Sequence, residues 1–353
     1  MTRTRPRKRR SGVLVLILLL LAGAAAWLLW ERYMGFADAP LSGFDAADTV
    51  VIERGDSLPV VIGKLRELGI SQGEEIEWRL LGRQLDADGR LHVGEYVLVE
   101  GITPRELLLA MRDGKVLQRR FTIVEGWNIR ELRAALARAP LVQEAAELDD
   151  AALMKALGKP GEHPEGRFLP ETYAYTGGDS DLDVLRRANA AMQRALAAAW
   201  AQRDPDTPLR TPEEMLILAS IVEKETGIAS ERPQIAGLFE RRLRIGMRLQ
   251  TDPTVIYGIG PDYDGNIRRS DLLTDTPYNT YTREGLPPTP IAMPGADALN
   301  AVANPADGDT LYFVAVGDGS GRHVFSRTLA EHNAAVREYV QRYRDNARSP
   351  SAQ

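Results

Sequence analysis

Eight consecutive residues, Met215 to Val222, read M-L-I-L-A-S-I-V, and this run limits the fold more than any other part of the chain. Its start carries helix signals: Thr211 can serve as N-cap, Pro212 suits the first helical position, and Glu214 can complete a capping box. Gly227 predicts the stop. A helix that is apolar all round except at Ser220 needs protein on every side. The chain must therefore wrap a layer of structure around it, and with the strands read below this predicts a mixed α+β domain with a central buried helix.

Two carboxylates, Glu223 and Glu225, fall in the last turn of that helix. The negative end of the helix dipole and the apolar neighbours both favour the protonated carboxyl. That is the state a general acid requires. Two residues correspond to about 200° around a helix, so a regular helix sends the two side chains to different sides. The plainer reading is a pair of solvated glutamates with Lys224 between them.

The N-terminus adds a second constraint. Arg3, Arg5, Arg7, Lys8, Arg9 and Arg10 precede Gly12–Trp30, which carries no charge. At 1.5 Å per residue that run makes a helix of about 28 Å, close to the hydrocarbon thickness of a bilayer. Its ending in Trp27, Leu28, Leu29 and Trp30 fits an anchor better than the cleavage site of a signal peptide. The basic cluster predicts a cytoplasmic N-terminus, a single pass through the inner membrane, and a periplasmic remainder. Without those six cations, 38 Lys and Arg face 49 Asp and Glu, a net charge of −11. Such a body argues against nucleic acid as a partner.

Along the chain, residues 31–47 read as a linker. Asp48–Ile52 reads as a strand, followed by a helix from Leu58 with Ser57 as N-cap, a second helix over Glu74–Gln84, a strand over Gly94–Val99, and a helix opened by the capping box Thr103–Glu106. A related strand, glycine turn and capped helix begins at Phe121, with Asn128 as the cap. Leu141–Glu165 reads as helical at first and then loop-like, and Gly166–Tyr175 as an aromatic-rich loop or edge. Asp181–Arg203 is an alanine-rich helix expected on the surface or in a connection. Ser230 is expected to cap a helix ending at Gly246, and Asp252 another. A β-hairpin over Thr310–Ser326 precedes a last helix capped by Thr328 and running to about Tyr343. The expected divisions are a basic tail (1–11), a membrane helix (12–30), a linker (31–47), a first domain (48–118), a catalytic domain (119–345, with 119–205 a candidate subdomain) and a disordered tail (346–353).

The sequence has no cysteine, which removes disulfides, thiolate metal sites and cysteine nucleophiles. Four scattered histidines form no HExxH, and neither G-x-S-x-G, S-x-x-K nor a P-loop occurs. No cofactor and no metal are expected, and acid/base chemistry by carboxylates remains.

Ile221-Val222-Glu223-Lys224-Glu225-Thr226, Arg242-Leu243 with Gly246-Met247, Leu249 through Gly258, Tyr278-Asn279-Thr280-Tyr281 and Gly285-Leu286-Pro287-Pro288 closely resemble the YceG-like family of endolytic murein transglycosylases. The chain departs from that pattern at Thr289-Pro290, where a glycine is expected among the prolines. The resemblance implies a membrane anchor through residues 12–30, a LysM-like module in the first domain, and a carbon–oxygen lyase that cuts the MurNAc–GlcNAc bond of nascent peptidoglycan to leave 1,6-anhydro ends. It implies that Glu223 is the catalytic acid. It also implies a role in terminating glycan strands beside peptidoglycan synthases.

Glu225 is then expected to orient or contact substrate, with Asp252 an N-cap and a less favoured contact. Gln250, Thr251, Asn279, Thr280 and Tyr281 are further candidates for holding the glycan, or equally for tying loops together. Two rivals stay open: a muramidase-type hydrolase using Glu225 or Asp252 as second carboxylate, and a tethered wall-binding protein without catalysis.

Overall fold

The computed structural model describes residues 8–45 and 48–348. Arg3, Arg5 and Arg7 of the basic cluster, and residues 349–353 of the expected tail, lie outside the described residues. Helix α1 spans Lys8–Asp38, and its part from Val13 is long and apolar enough to cross a membrane. It does not end near Trp30. No breaker occurs before Pro40, and the last turns are held by the first unit: Ala37 is buried, Tyr33 and Phe36 pack on that unit's core, and Asp38 pairs with Arg105 at 2.6 Å. The first part of the expected linker is therefore helical.

The first unit comprises the chain to Arg119, with Thr176–Gly178. After α1 it contains β1 (Thr49–Ile52), α2 (Leu58–Glu67), α3 (Glu75–Gln84), β2 (Gly94–Val97) and α4 (Pro104–Arg112). This is the order expected from hydrophobic periodicity. β1 and β2 pair antiparallel with Val50 opposite Tyr96. Alternation turns Val50 and Ile52 into a core shared with Leu58, Leu65, Trp78 and Leu108, while Val51 faces outward. Thr103 makes both halves of its capping box, whereas Ser57 stands at the N-cap of α2 without a side-chain bond.

The second unit comprises Arg120–Tyr175 and Asp179 onward. Strand β3 (Gln118–Thr122), which leads into it, pairs with β4 (Thr172–Thr176). Between them lie α5 (Ile129–Leu136), whose cap Asn128 accepts from two backbone N–H groups, and α6 (Asp150–Ala156). Residues 141–149 are not helical. Part of that stretch is organised instead by buried Asp181, which accepts the Glu144 and Ala145 N–H groups at 2.9 Å.

Helix α7 (Asp181–Ala201) is no surface helix. Leu182, Leu185 and Ala188 belong to the core around α5, and Met192 and Ala199 to the core around α8 (Pro212–Glu225). In α8 every residue from Met215 to Val222 is buried, as its composition requires. Ser220 resolves the one polar position: its hydroxyl donates to the Ile217 carbonyl at 2.7 Å and accepts the Ile291 N–H at 3.0 Å. The ends of α8 differ from expectation. Glu214 donates its backbone N–H to Thr211 but turns its carboxylate to the Arg210 N–H, so the box is half made. The helix stops because Thr226 is extended, and Gly227 needs no left-handed conformation.

A 3-10 turn (Ala229–Glu231) precedes α9 (Arg232–Arg244), so Ser230 is not the cap of that helix. Next come α10 (Asp252–Ile259), α11 (Arg269–Leu273) and α12 (Ala296–Ala303). α8 packs against α7, α9, α10 and α12. The hairpin of β5 (Tyr312–Ala315) and β6 (His323–Ser326) and helix α13 (Leu329–Arg348) complete the unit. α13 passes Tyr343 without interruption.

Candidate active site

The two acids at the end of α8 enter different surroundings. Glu223 has a side chain only 5% exposed, one oxygen accepting the Gly295 N–H at 2.9 Å and the other 3.4 Å from the Arg232 guanidinium. Gly295 stands at the N-cap position of α12 and Arg232 opens α9. Glu223 therefore ties three helix ends together. Arg232 also lies 3.5 Å from Glu125 and 3.4 Å from Asp297. Burial raises the Glu223 pKa, the Gly295 bond opposes that, and the nearby Glu125 charge adds to it.

Glu225 turns the other way. It accepts a short hydrogen bond from the Thr251 hydroxyl and lines a pocket of about 350 Å³ with Arg242, Gln250, Thr251, Asp252, Tyr281, Tyr312, Phe313, Leu329 and His332. Burial pushes its pKa up to about 7, with the Asp252 charge adding and the Thr251 bond, His323 and Arg242 opposing. A carboxyl that holds its proton near neutrality, at the wall of an open polar pocket, can give that proton to a ligand there.

The same pocket brings together four other candidates. Thr251 is buried against Glu225. Gln250 is exposed and has φ 52°, in the left-handed region that a non-glycine residue enters at a cost. Tyr281 donates to Asp252 at 2.6 Å, and burial raises the phenol's pKa. Asp252 is the first residue of α10, not its cap, since Thr251 occupies that place.

Asn279 and Thr280 do not join them. Asn279 is buried and donates to the carbonyls of Asp271, Leu272 and Thr274. Thr280 accepts the Thr251 N–H at 3.1 Å and bonds the Thr254 hydroxyl at 2.9 Å. Asn279 thus holds the loop that carries Tyr281 to α11, and Thr280 holds it to the start of α10.

Several site residues had no signal in the sequence. Arg232, Glu125, and Gly295 with Asp297 gather around Glu223 from three separate stretches of chain. Tyr312 and His332 reach the Glu225 pocket from β5 and α13. Glu165, fully buried, accepts the Ile129 N–H at 3.1 Å with both oxygens, and burial pushes its pKa up to about 7. Among the described residues no cluster could hold a metal ion.

The sequence model of the YceG-like family matches residues 50–338. The endolytic murein transglycosylase of Bacillus subtilis (strain 168) is 29% identical over 307 residues, covering 82% of this chain and 84% of that protein. The endolytic murein transglycosylase of Streptococcus pneumoniae (serotype 2, strain D39) is 30% identical over 210 residues, covering 58% of this chain and 36% of that longer protein. Among solved structures, a yceG-like protein of Listeria monocytogenes superposes with a TM-score of 0.52 at 27% identity, over 81% of this chain and 98% of that one.

Proposed function

The chain belongs to the YceG-like family, and from that membership and the surroundings of Glu225 we propose that it is a lytic transglycosylase of peptidoglycan with Glu225 as its acid. The observation that carries the assignment is the contrast between the two carboxyls of α8. Glu225 faces the pocket with its proton held to about pH 7. Glu223 has both oxygens engaged by Arg232 and Gly295. The acid expected at Glu223 thus moves two residues, and Glu223 becomes a clamp on the end of α8.

In the proposed reaction the Glu225 carboxyl protonates the oxygen between N-acetylmuramic acid and N-acetylglucosamine as the bond from the muramic C1 breaks. The resulting carboxylate then takes the proton of the muramic C6 hydroxyl while O6 bonds to C1. Glu225 regains its proton, no water is consumed, and the product is a 1,6-anhydro end. The Thr251 hydroxyl holds one carboxyl oxygen in place, and Gln250, Asp252 and Tyr281 offer hydrogen-bonding groups to the sugar. A second carboxylate as nucleophile or base, as in most glycosidases, is not required.

The proposal extends to location and role: α1 anchors the chain in the inner membrane with the N-terminus inside, the first unit is a LysM-like wall-binding module, and cleavage of nascent strands ends their elongation beside the synthases. Tethering raises the effective concentration of enzyme at the layer where new glycan emerges.

Mass spectrometry of peptidoglycan digested by the detergent-solubilised chain tests the reaction and the acid together. Anhydro-muramic ends are expected from the parent and from Glu223→Gln, and none from Glu225→Gln. The reverse pattern would return the acid to Glu223. Reducing ends would make the enzyme a hydrolase, and intact glycan that retains the protein would leave a binding module.

A further inference from the structure

The pocket that Glu225 lines also holds a cation whose donors the proposed reaction does not use. Arg242 is 6% exposed, yet among the described residues no carboxylate lies within 4.0 Å of its guanidinium. Its Nε donates to the Leu311 carbonyl at 2.7 Å and its Nη1 to those of Arg248 and Leu249. These acceptors are neutral, so the guanidinium has no ion-pair partner in contact and feels Glu225 only at a distance, an arrangement that buried charges ordinarily avoid. Beside it the Tyr312 ring lies 5.5 Å from the Arg242 Cζ and stacks on His332 at 5.3 Å. The His332 Nδ1 is buried and has no hydrogen-bond partner.

The Nη2 of Arg242, the guanidinium nitrogen left after Nε and Nη1 have bonded backbone carbonyls, and the His332 imidazole line one pocket and describe a site for a group rich in oxygen acceptors. Resting on the transglycosylase reading, we propose that Arg242 and His332 recognise the acyl oxygens of the 3-O-lactyl group of muramic acid. The two sugars of the glycan differ only at that group, and the bond to be broken is always on the muramic side. A subsite for it in the acid's own pocket would fix which sugar presents C1 to Glu225, and so the polarity of the cut. The acyl group is a carboxylate in glycan stripped of its peptides and an amide carbonyl where stems remain. Both offer oxygen acceptors, the carboxylate more strongly. Tyr312 acts as a positioning residue between the two donors.

The test is calorimetric binding to the full chain in detergent, in the Glu225→Gln background so that ligand is not consumed. Three tetrasaccharides serve as probes: alternating GlcNAc–MurNAc with free lactyl carboxylates, the same with amidated lactyl groups, and chitotetraose, which has none. The expected result is tighter binding of the lactyl ligands. That preference should fall ~10- to 100-fold with Arg242→Lys, which keeps a charge but loses the placed Nη2 donor, and measurably with His332→Ala, while chitotetraose affinity stays unchanged. Equal losses for all three probes, or an unchanged preference, would overturn the proposal. If Arg242→Lys fails to fold, His332→Ala decides it alone. A larger loss for the free carboxylate than for the amide identifies charge as the feature read, and equal losses identify the carbonyl oxygen. Absence of cleavage by the parent with a persisting lactyl preference would reject the transglycosylase reading and leave this site standing. Cleavage without the preference would do the opposite.

Discussion

Replacing Glu225 by Gln should stabilise the protein, and by an amount that grows with pH. In the folded chain the Glu225 pKa stands at about 7 against an ordinary 4.5. A folded-state pKa above the unfolded one means that the folded form holds the proton more tightly. The protonated folded form therefore carries no penalty below about pH 4.5, and stability is lost as pH rises toward 7. The difference between about 7 and 4.5 corresponds to about 3 kcal/mol at ~1.36 kcal/mol for each tenfold change in proton affinity. Gln has nearly the same shape and never charges. The stability advantage of Glu225→Gln over the parent should thus widen by about 3 kcal/mol between pH 4.5 and pH 8. At roughly 2–4 °C per kcal/mol for a domain of this size, the gap in Tm grows by about 6–12 °C. Circular dichroism melts at half-unit pH steps, parent beside variant, measure this directly. Glu165 titrates in the same window and with the same sign, but it is present in both proteins and cancels. A Tm gap that stays constant from pH 4.5 to 8 would refute the claim that Glu225 is a buried, proton-holding acid.

Three other outcomes follow from the same structure. As a general acid of pKa about 7, Glu225 should give kcat/KM that falls tenfold per unit above that pH; Glu223→Gln should keep this limb, and a profile flat to pH 9 would exclude the assignment. Gly237→Ala should lower Tm by more than ~5 °C in thermal melts, because the added Cβ would press on the Ala306 carbonyl oxygen, a backbone atom with no rotamer to yield. Asn279→Ala strips the donor from three carbonyls and should cost about 2–4 kcal/mol in urea titration, with a loss near zero arguing that water replaces the amide.

Local periodicity made much of this protein readable. α8 could be placed from its own residues because Thr211 and Pro212 mark a helix start ahead of an apolar run, and the strand and helix order of the first unit follows from alternation and caps. The errors came where a long-range partner decided the outcome. The stretch Leu141–Glu165 reads as helical from its start, but its helix begins only at Asp150, because Asp181, nearly forty residues later, takes two of the amides before it. Ser230 looks like a cap, yet it lies inside a 3-10 turn that leads into Arg232, the residue that pairs with Glu223. The Glu225 pocket shows the same division. Gln250, Thr251, Asp252 and Tyr281 were legible as a group because they stand in two short stretches. Tyr312 and His332 were not, since nothing in β5 or α13 marks the residues that reach back to α8.

The positions of Glu223 and Glu225 on one helical turn give a physical reason for their separate roles. Both stand at the negative end of the α8 dipole, where a carboxylate is disfavoured. Glu223 is given a backbone N–H and a guanidinium that oppose the rise burial causes in its pKa, and with them it joins α8 to α9 and α12. Glu225 receives a hydroxyl, with Arg242 and His323 acting on it only at a distance, and keeps its proton. A proton donor in a pocket has to be held in position without being satisfied as an anion. The rigid attachment of Glu223 supplies that position two residues away, and leaves Glu225 free to change its charge.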